Sequence, residues 1–290
     1  MRYACIDRRR NRYPVRLQCR LLQVSPSGYY AWRVRDESRR DRYDRQLLRS
    51  IRFTHVESGG TYGSPRIHAE LISQGFVCGR ARVARLMHKA GLKGCPKRRF
   101  RVTTNSGLTR ARNLLDQDFS AETANQRWAS DITFIWTGQG WLYLAVVMDL
   151  YSRRIVGWSM SRRINRHLVV NALTMALDQR RPGSGLIHHS DRGVQYLSDD
   201  FQNLLKANAI TCSMSDTGSC YDNAVVECFF ASLKRERIKR RTYATRNEAR
   251  ADVFDYIERF YNRTRRHGYV GHISPAEFEK RTLGLDSTVR

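Results

Sequence analysis

Polar and apolar positions divide the chain into a helical first part and a sheet-forming second part. Residues 14–35, P-V-R-L-Q-C-R-L-L-Q-V-S-P-S-G-Y-Y-A-W-R-V-R, read as a short helix, a Ser25-Pro26-Ser27-Gly28 turn and a second helical start. A charged helix is expected from residue 39 to about 55, with Leu47, Leu48 and Ile51 at helical spacing on one face. Pro65 suits the first turn of the next helix, whose apolar face carries Ile67, Leu71 and Ile72 and which Gly75 stops. A turn through residues 77–79 leads to a helix bearing Val83, Leu86 and Met87. Two short helices joined by a Gly-containing turn make a helix-turn-helix candidate, with Arg80, Arg82, Arg85 and Lys89 pointing outward as DNA contacts.

From about residue 126 the pattern becomes that of strands: R-W-A-S-D-I-T-F-I-W-T, W-L-Y-L-A-V-V-M-D-L and R-I-V-G-W-S-M-S, with Gly138-Gln139-Gly140 turning between the first two. A helix follows at about 166–179, then the strand L-I-H-H-S, a helix at about 198–207, the strand I-T-C-S-M-S and a helix from near Asp222 to about Lys239. A further helix at about 247–261 and a basic tail, Y-N-R-T-R-R-H, close the chain. The order β-β-β-α-β-α-β-α predicts an α/β fold, a mixed five-stranded sheet with flanking helices, preceded by a small basic all-α region. The expected division is a basic helical region over 1–92 (helix-turn-helix-like from about 40), a basic linker over 93–122 and a core over 123–285 that includes the C-terminal helix and tail.

Charge sharpens this division. The 290 residues carry a formal net charge of +25, which points to a polyanionic partner. Residues 1–112 hold 27 basic and 7 acidic residues, whereas residues 113–290 hold 25 and 20. The first part therefore reads as an electrostatic grip and the second as a globular core. Residues 93–112 are basic, polar and aperiodic, as suits a linker tracking a phosphate backbone. No apolar run approaches the roughly 18–20 residues needed to span a bilayer, and M-R-Y-A-C-I-D-R-R-R lacks the apolar stretch of a secretory signal. The seven cysteines form no C-x-x-C, and His55, His68, Cys78 and Cys95 match no compact zinc spacing. A reduced cytoplasmic setting is expected.

Three acids stand where such a sheet would converge. Asp131 lies within the first strand, Asp191 follows I-H-H-S, and Glu227 lies one turn into the helix opened by D-N-A-V-V-E. Strand ends beside helix starts are where α/β sheets place ligands. Three gathered carboxylates repel one another unless a cation neutralises them, so a Mg²⁺ site is expected, with two ions clamping a phosphodiester and Mn²⁺ as a substitute. Glu227, Ala231 and Lys234 share a helix face, which places Lys234 as an exposed charge for a nearby phosphate. Asp222 reads as a helix cap and Asp149 as a structural acid. Asn223, His189, Arg192 and Gln195 are expected to shape or touch the DNA path.

The motifs W-A-S-D-I-T-F, H-S-D-R-G-V-Q-Y and D-N-A-V-V-E-C-F-F-A-S-L-K resemble the catalytic core of retroviral-integrase-type transposases. The 35 residues between Asp191 and Glu227 match that superfamily's spacing, and Lys234 matches the basic residue after its glutamate. V-S-P-S-G-Y-Y-A-W-R-V-R, Y-G-S-P-R-I-H-A-E-L and Y-N-R-T-R-R-H…S-P-A-E-F resemble the second-frame product of bacterial insertion sequences of the insertion-sequence-three family; the run G-Y-V-G-H-I-S-P departs from that pattern. The resemblance implies an RNase H-like fold with Asp131, Asp191 and Glu227 as catalytic metal ligands. It also implies cleavage by water at an element end and attack of the freed 3′-hydroxyl on another phosphodiester. Expected partners are double-stranded DNA, as element ends and target, an upstream-frame product joined by frameshift fusion, and further copies of the chain on DNA. The expected setting is a bacterial cytoplasm, close to the nucleoid. Residues 1–50 hold no sustained heptads that would pair two copies. Two other readings stand beside it: an RNase H-like nuclease that cuts without joining, and a non-catalytic DNA-binding repressor. Tyr221 and Ser190 stand beside carboxylates, Asp222 and Asp191, which speaks against a tyrosine- or serine-recombinase reading.

Overall fold

The computed structural model describes residues 2–95, 113–115, 118–215 and 223–284. Most of the proposed linker, the Asp222 cap and Tyr221 lie outside the described residues. The chain begins with α1 (Arg2–Arg9), α2 (Val15–Leu21) and α3 (Pro26–Val34), which close on a small cluster of Ile6, Cys19 and Tyr29. Helix α1 was not legible in the sequence, because only Ile6 among its residues is buried. The Ser25–Gly28 segment is not a free turn: Ser25 caps α3, accepting the Gly28 N–H at 3.3 Å, and Pro26 opens the helix.

Helices α4 (Arg39–Glu57), α5 (Ser64–Ser73) and α6 (Arg80–Lys89) bury Leu47, Ile51, Ile67, Leu71, Val83, Leu86 and Met87 against one another. Ile72, placed by the pattern on the apolar face of α5, is exposed instead. Ile67 and Leu71, four residues apart, already complete the stripe facing α4 and α6.

The second part is a five-stranded sheet in the order β3-β2-β1-β4-β5. The strands are β1 (Arg127–Ile135), β2 (Leu142–Asp149), β3 (Ile155–Ser161), β4 (Ile187–Ser190) and β5 (Thr211–Met214). β1, β2 and β3 are an antiparallel meander, while β4 and β5 join β1 in parallel. Helices α7 (Arg166–Arg180) and α8 (Asp199–Ala207) cover one face, burying Leu168, Leu173 and Phe201 over Trp128, Val147 and Val156. α9 (Ala224–Glu236), α10 (Arg246–Phe254) and the π-helical run Asp255–Tyr261 that prolongs α10 cover the other, over Ala129, Leu144 and Val146. Among the described residues no helix is long and apolar enough to cross a membrane.

A last helix, α11 (Pro275–Thr282), stands where the sequence reading had only a tail. Ser274 caps it through the Glu277 N–H at 3.3 Å and Pro275 takes its first position. Its buried Glu279 binds Arg154 at 2.7 Å, the Ser152 hydroxyl at 2.6 Å and Arg180, which ties α11 to the turn after β2 and to the end of α7.

The two parts touch. Tyr62 accepts the Arg266 N–H at 2.9 Å, Arg266 pairs with Glu70 at 2.5 Å, and Arg66 lies 3.6 Å from Glu236 at the far end of α9.

Candidate active site

The topology brings the two aspartates to one place. β1 pairs in parallel with β4 up to Ala129↔His189. Asp131 and Asp191 each lie two residues further on, so they leave neighbouring strands at the same level. β4 stops at Ser190 whereas β1 runs on to Ile135 beside β2, and the vacated edge of β1 opens a crevice. This is also where strand order turns back on itself, with β2 and β3 on one side of β1 and β4 and β5 on the other. Alternation along β1 turns Asp131 to the face of Ala129, which α9 covers. Asn223 then pins the start of α9 to that edge by donating from Nδ2 to the Ser130 carbonyl at 3.1 Å. Glu227, in the first turn of α9, follows four residues later and is half-buried.

Electrostatics show that the acids share a field. Burial first, and then the negative charges of Asp191 and Glu227, push the Asp131 carboxyl up to about 8, against the Ile132 N–H and Lys234. Asp191 keeps an open face to solvent, yet desolvation raises its carboxyl against the Gly193 N–H that it accepts at 3.0 Å. Desolvation also raises Glu227. None of the three makes an ion pair with a described residue. Among the described residues, no three His, Cys, Asp or Glu side chains close into a single metal-binding group. The acids therefore line one crevice without forming a closed ligand set. Their donor chemistry still suits a hard divalent cation: oxygen ligands only, excess negative charge, and carboxyls that burial holds back from ionising, with the charges of the other two adding to this at Asp131.

Lys234 departs from its expected place. It is half-buried, its amine lies 4.8 Å from the centre of the Phe134 ring, and burial lowers its pKa, with Lys239 adding and Asp131 opposing. Of the outward residues of α6, Arg82 needs correction, while Arg85 is exposed although it is ion-paired. Arg82 is half-buried and pairs with Asp44 at 2.6 Å, and Arg85 pairs with the same carboxylate at 2.7 Å. Arg80 and Lys89 are exposed. His189 faces the sheet interior between the Ser213 and Ser215 hydroxyls, not a DNA path, because its strand is buried on both faces. Arg192 is half-buried in the loop after Asp191. Asp149 is fully buried and accepts the Asn125 and Tyr151 N–H groups, a structural acid as expected. Ser190 is buried and donates to the Asp191 carbonyl.

The sequence reading missed His188, the Glu236–Arg265 pair and the anchoring function of Asn223. His188 bonds the Ser130 hydroxyl at 2.7 Å beneath the crevice. Arg265 grips Glu236, the last residue of α9, at 2.8 Å. Only the position of Asn223 beside Asp222 gave any signal, since the other contacts span 29 residues or more.

Comparison with known proteins agrees with this architecture. Family models described as "Integrase core domain" match residues 121–220 and 227–283, and one described as "HTH-like domain" matches residues 42–100. A 31 kDa protein of insertion element IS600 from Shigella sonnei is 43% identical over 265 residues, 91% of this chain and 97% of that protein. Transposase InsF of insertion sequence IS3A from Escherichia coli is 42% identical over 287 residues, 98% of this chain and 100% of that protein. Among solved structures, a simian T-cell lymphotropic virus intasome aligns at 14% identity over 80% of this chain and 74% of that one, with a TM-score of 0.46. With 42% identity to InsF over 98% of its length, the chain belongs to the family of insertion-sequence transposases that carry an integrase core behind a helix-turn-helix-like region.

Proposed function

We propose that this transposase cuts and joins DNA at the crevice between β1, β4 and α9, with Asp131, Asp191 and Glu227 as the ligands of two Mg²⁺ ions, for which Mn²⁺ substitutes. The observation that carries this reading is the placement of Asp131 and Asp191 at one level on adjacent strands, with Glu227 acting on the same carboxyl. Bound there, the ions supply Lewis acidity to a phosphodiester and activate water. The chain's own residues do the rest. The carboxylates must be ionised to hold the cations, and Asn223 keeps Glu227 over the strand edge. Lys234 offers a positive charge beside the crevice to a phosphate of the strand being cut. The exposed Arg80 and Lys89, with Arg82, Arg85 and Arg192 as further contacts, would hold duplex DNA by its backbone. Cleavage frees a 3′-hydroxyl at an element end, and that hydroxyl attacks target DNA without a covalent protein intermediate. Pairing of ends calls for several copies of the chain, and recognition of ends for an upstream-frame product fused to it, acting on the bacterial nucleoid.

Glu227→Gln, Asp131→Asn and Asp191→Asn keep shape and remove ligand charge. Each is expected to lose cleavage and strand transfer by at least about a thousand-fold in Mg²⁺ while duplex binding stays within about two-fold. Product mapping on supercoiled DNA carrying the element's ends is the assay; near-normal cleavage by any of the three removes that residue from the site.

A further inference from the structure

Three large aromatic side chains beside the crevice take no part in a core. Phe134, Trp136 and Trp141 are 53%, 60% and 42% exposed. The antiparallel register that pairs Phe134 with Tyr143 and Ile135 with Leu142 sets Trp136 opposite Trp141 at the end of the β1–β2 hairpin. Trp141 meets both of the others edge-on, with centroids 5.0 Å from Phe134 and 4.8 Å from Trp136. An exposed cluster of this kind marks an interaction surface rather than a packing remnant.

The hairpin is held rather than loose. The Gly138 N–H donates to the Tyr243 carbonyl at 2.8 Å, and Arg246 Nε donates to the Trp141 carbonyl at 3.0 Å. A Cβ on Gly138 would fall 2.7 Å from the Ala244 carbonyl, so glycine permits this docking. Charge and position then narrow the occupant. The Lys234 amine lies 4.8 Å from the Phe134 ring, and the charges of both Asp131 and Lys239 reach it. Phe134 follows Asp131 by three residues, roughly 10 Å along the strand and by alternation on the opposite face, and Lys234, close to the Phe134 ring and within reach of the Asp131 charge, links the two at the open edge of β1. Aromatic faces edged by cations suit nucleobases with their phosphates. Bases inside a duplex are stacked on one another and cannot present a free face, so the occupant is unpaired.

We propose that Phe134, Trp136 and Trp141, with Lys234 at their edge, form a stacking platform for unpaired bases at the end of the DNA strand processed in the crevice. The proposal rests on the reading that DNA is cut at Asp131, Asp191 and Glu227. Opening a few base pairs at a DNA end costs stacking energy, and a platform that takes up the freed bases would offset that cost and hold the scissile phosphate by the carboxylates.

The test uses the full-length chain without divalent cations. Two labelled probes are compared by anisotropy: a blunt duplex, and the same duplex with a few unpaired nucleotides at one end. Wild type should bind the frayed probe about ten-fold more tightly. Trp136→Leu should abolish that preference without changing affinity for the blunt probe or the melting temperature, and Trp136→Tyr should keep it. A preference that survives Trp136→Leu, or an equal loss on both probes, overturns the platform. So does a change in sedimentation on Trp136→Leu with the preference intact, which would assign the cluster to contact between copies. Cleavage in Mg²⁺, measured on the same preparations, separates the two readings. Glu227-dependent cleavage without any frayed-end preference sinks the platform alone. A Trp136-dependent preference without cleavage supports the platform and sinks the nuclease reading.

Discussion

At the scale of single residues, burial decides what a side chain can do, and two positions make this measurable. His188 is completely buried against Ser130, and desolvation, then His189, push its pKa down to about 3 from 6.5. Below about pH 6.5 the unfolded chain takes up a proton that the folded His188 refuses. Stability therefore falls as pH drops from about 6.5 towards about 3, by at most about 1.4 kcal/mol per pH unit from this group. Urea midpoints at pH 7 and pH 5 should diverge less for His188→Gln than for wild type; identical pH dependence would mean that His188 is protonated in the fold. Lys234 combines packing and charge. Lys234→Met keeps the aliphatic stem over Phe134 and should cost under about 1 kcal/mol of stability, with strand transfer falling at least about ten-fold. Full strand transfer by that variant would reduce Lys234 to a packing residue. The proposed acids could be picked out in the sequence from their places, Asp131 within a strand, Asp191 just after one and Glu227 in the first turn of a helix. The half-burial of Lys234 was not, because spacing along α9 tells which residues share a face but not what covers that face.

At the scale of elements, close approach between backbone segments sets the geometry behind the site. Gly157 in β3 lies directly beneath α7: a Cβ there would collide with the Ala172 carbonyl and stand 2.8 Å from the Ala176 Cβ. Gly157→Ala should destabilise the chain by about 1–3 kcal/mol through overpacking, seen as a lower melting temperature. An unchanged melting temperature would show that α7 can retreat without cost. The sequence reading placed both elements correctly, since apolar runs are local signals, and the structure adds the Asn165 cap that opens α7. α11 was missed although Ser274-Pro275 and Glu277 are capping residues, because its eight residues bury only Pro275 and Glu279 and so show no apolar stripe. Tertiary ion pairs at Glu279 stabilise what periodicity did not announce.

At the scale of the whole molecule, α9 runs from the proposed site to the contact with the helix-turn-helix-like region. Glu227 stands at its start in the crevice, and Glu236 at its end is buried against Arg265, with the Tyr256 hydroxyl at 2.8 Å and Arg66 of the helix-turn-helix-like region at 3.6 Å. Although burial raises the Glu236 carboxyl, Arg265 outweighs it and holds the pKa below the ordinary value, so the group stays ionised. Glu236→Ala would leave Arg265 buried without its partner. The expected loss is about 3–5 kcal/mol, together with faster proteolysis between the two parts of the chain. Wild-type stability and protease resistance in that variant would show that the contact between the parts does not depend on this pair.

The sequence by itself determined the kinds of element, most of their bounds, the split between a basic helical region and a sheet, and the three acids of the crevice. These are local properties: apolar period, capping residues and charge within a short window. Only the tertiary structure decided that Asp131 and Asp191 stand level on neighbouring parallel strands, since that register joins segments 60 residues apart. It alone decided that Arg82 and Arg85 are engaged by Asp44, from an earlier helix, rather than standing free along α6. It alone set Trp136 beside Trp141 in the open, next to a lysine from α9. Charge and periodicity assign a residue to a face; which neighbour waits there depends on how distant segments satisfy one another's buried polar groups and apolar surface, and no local window carries that information.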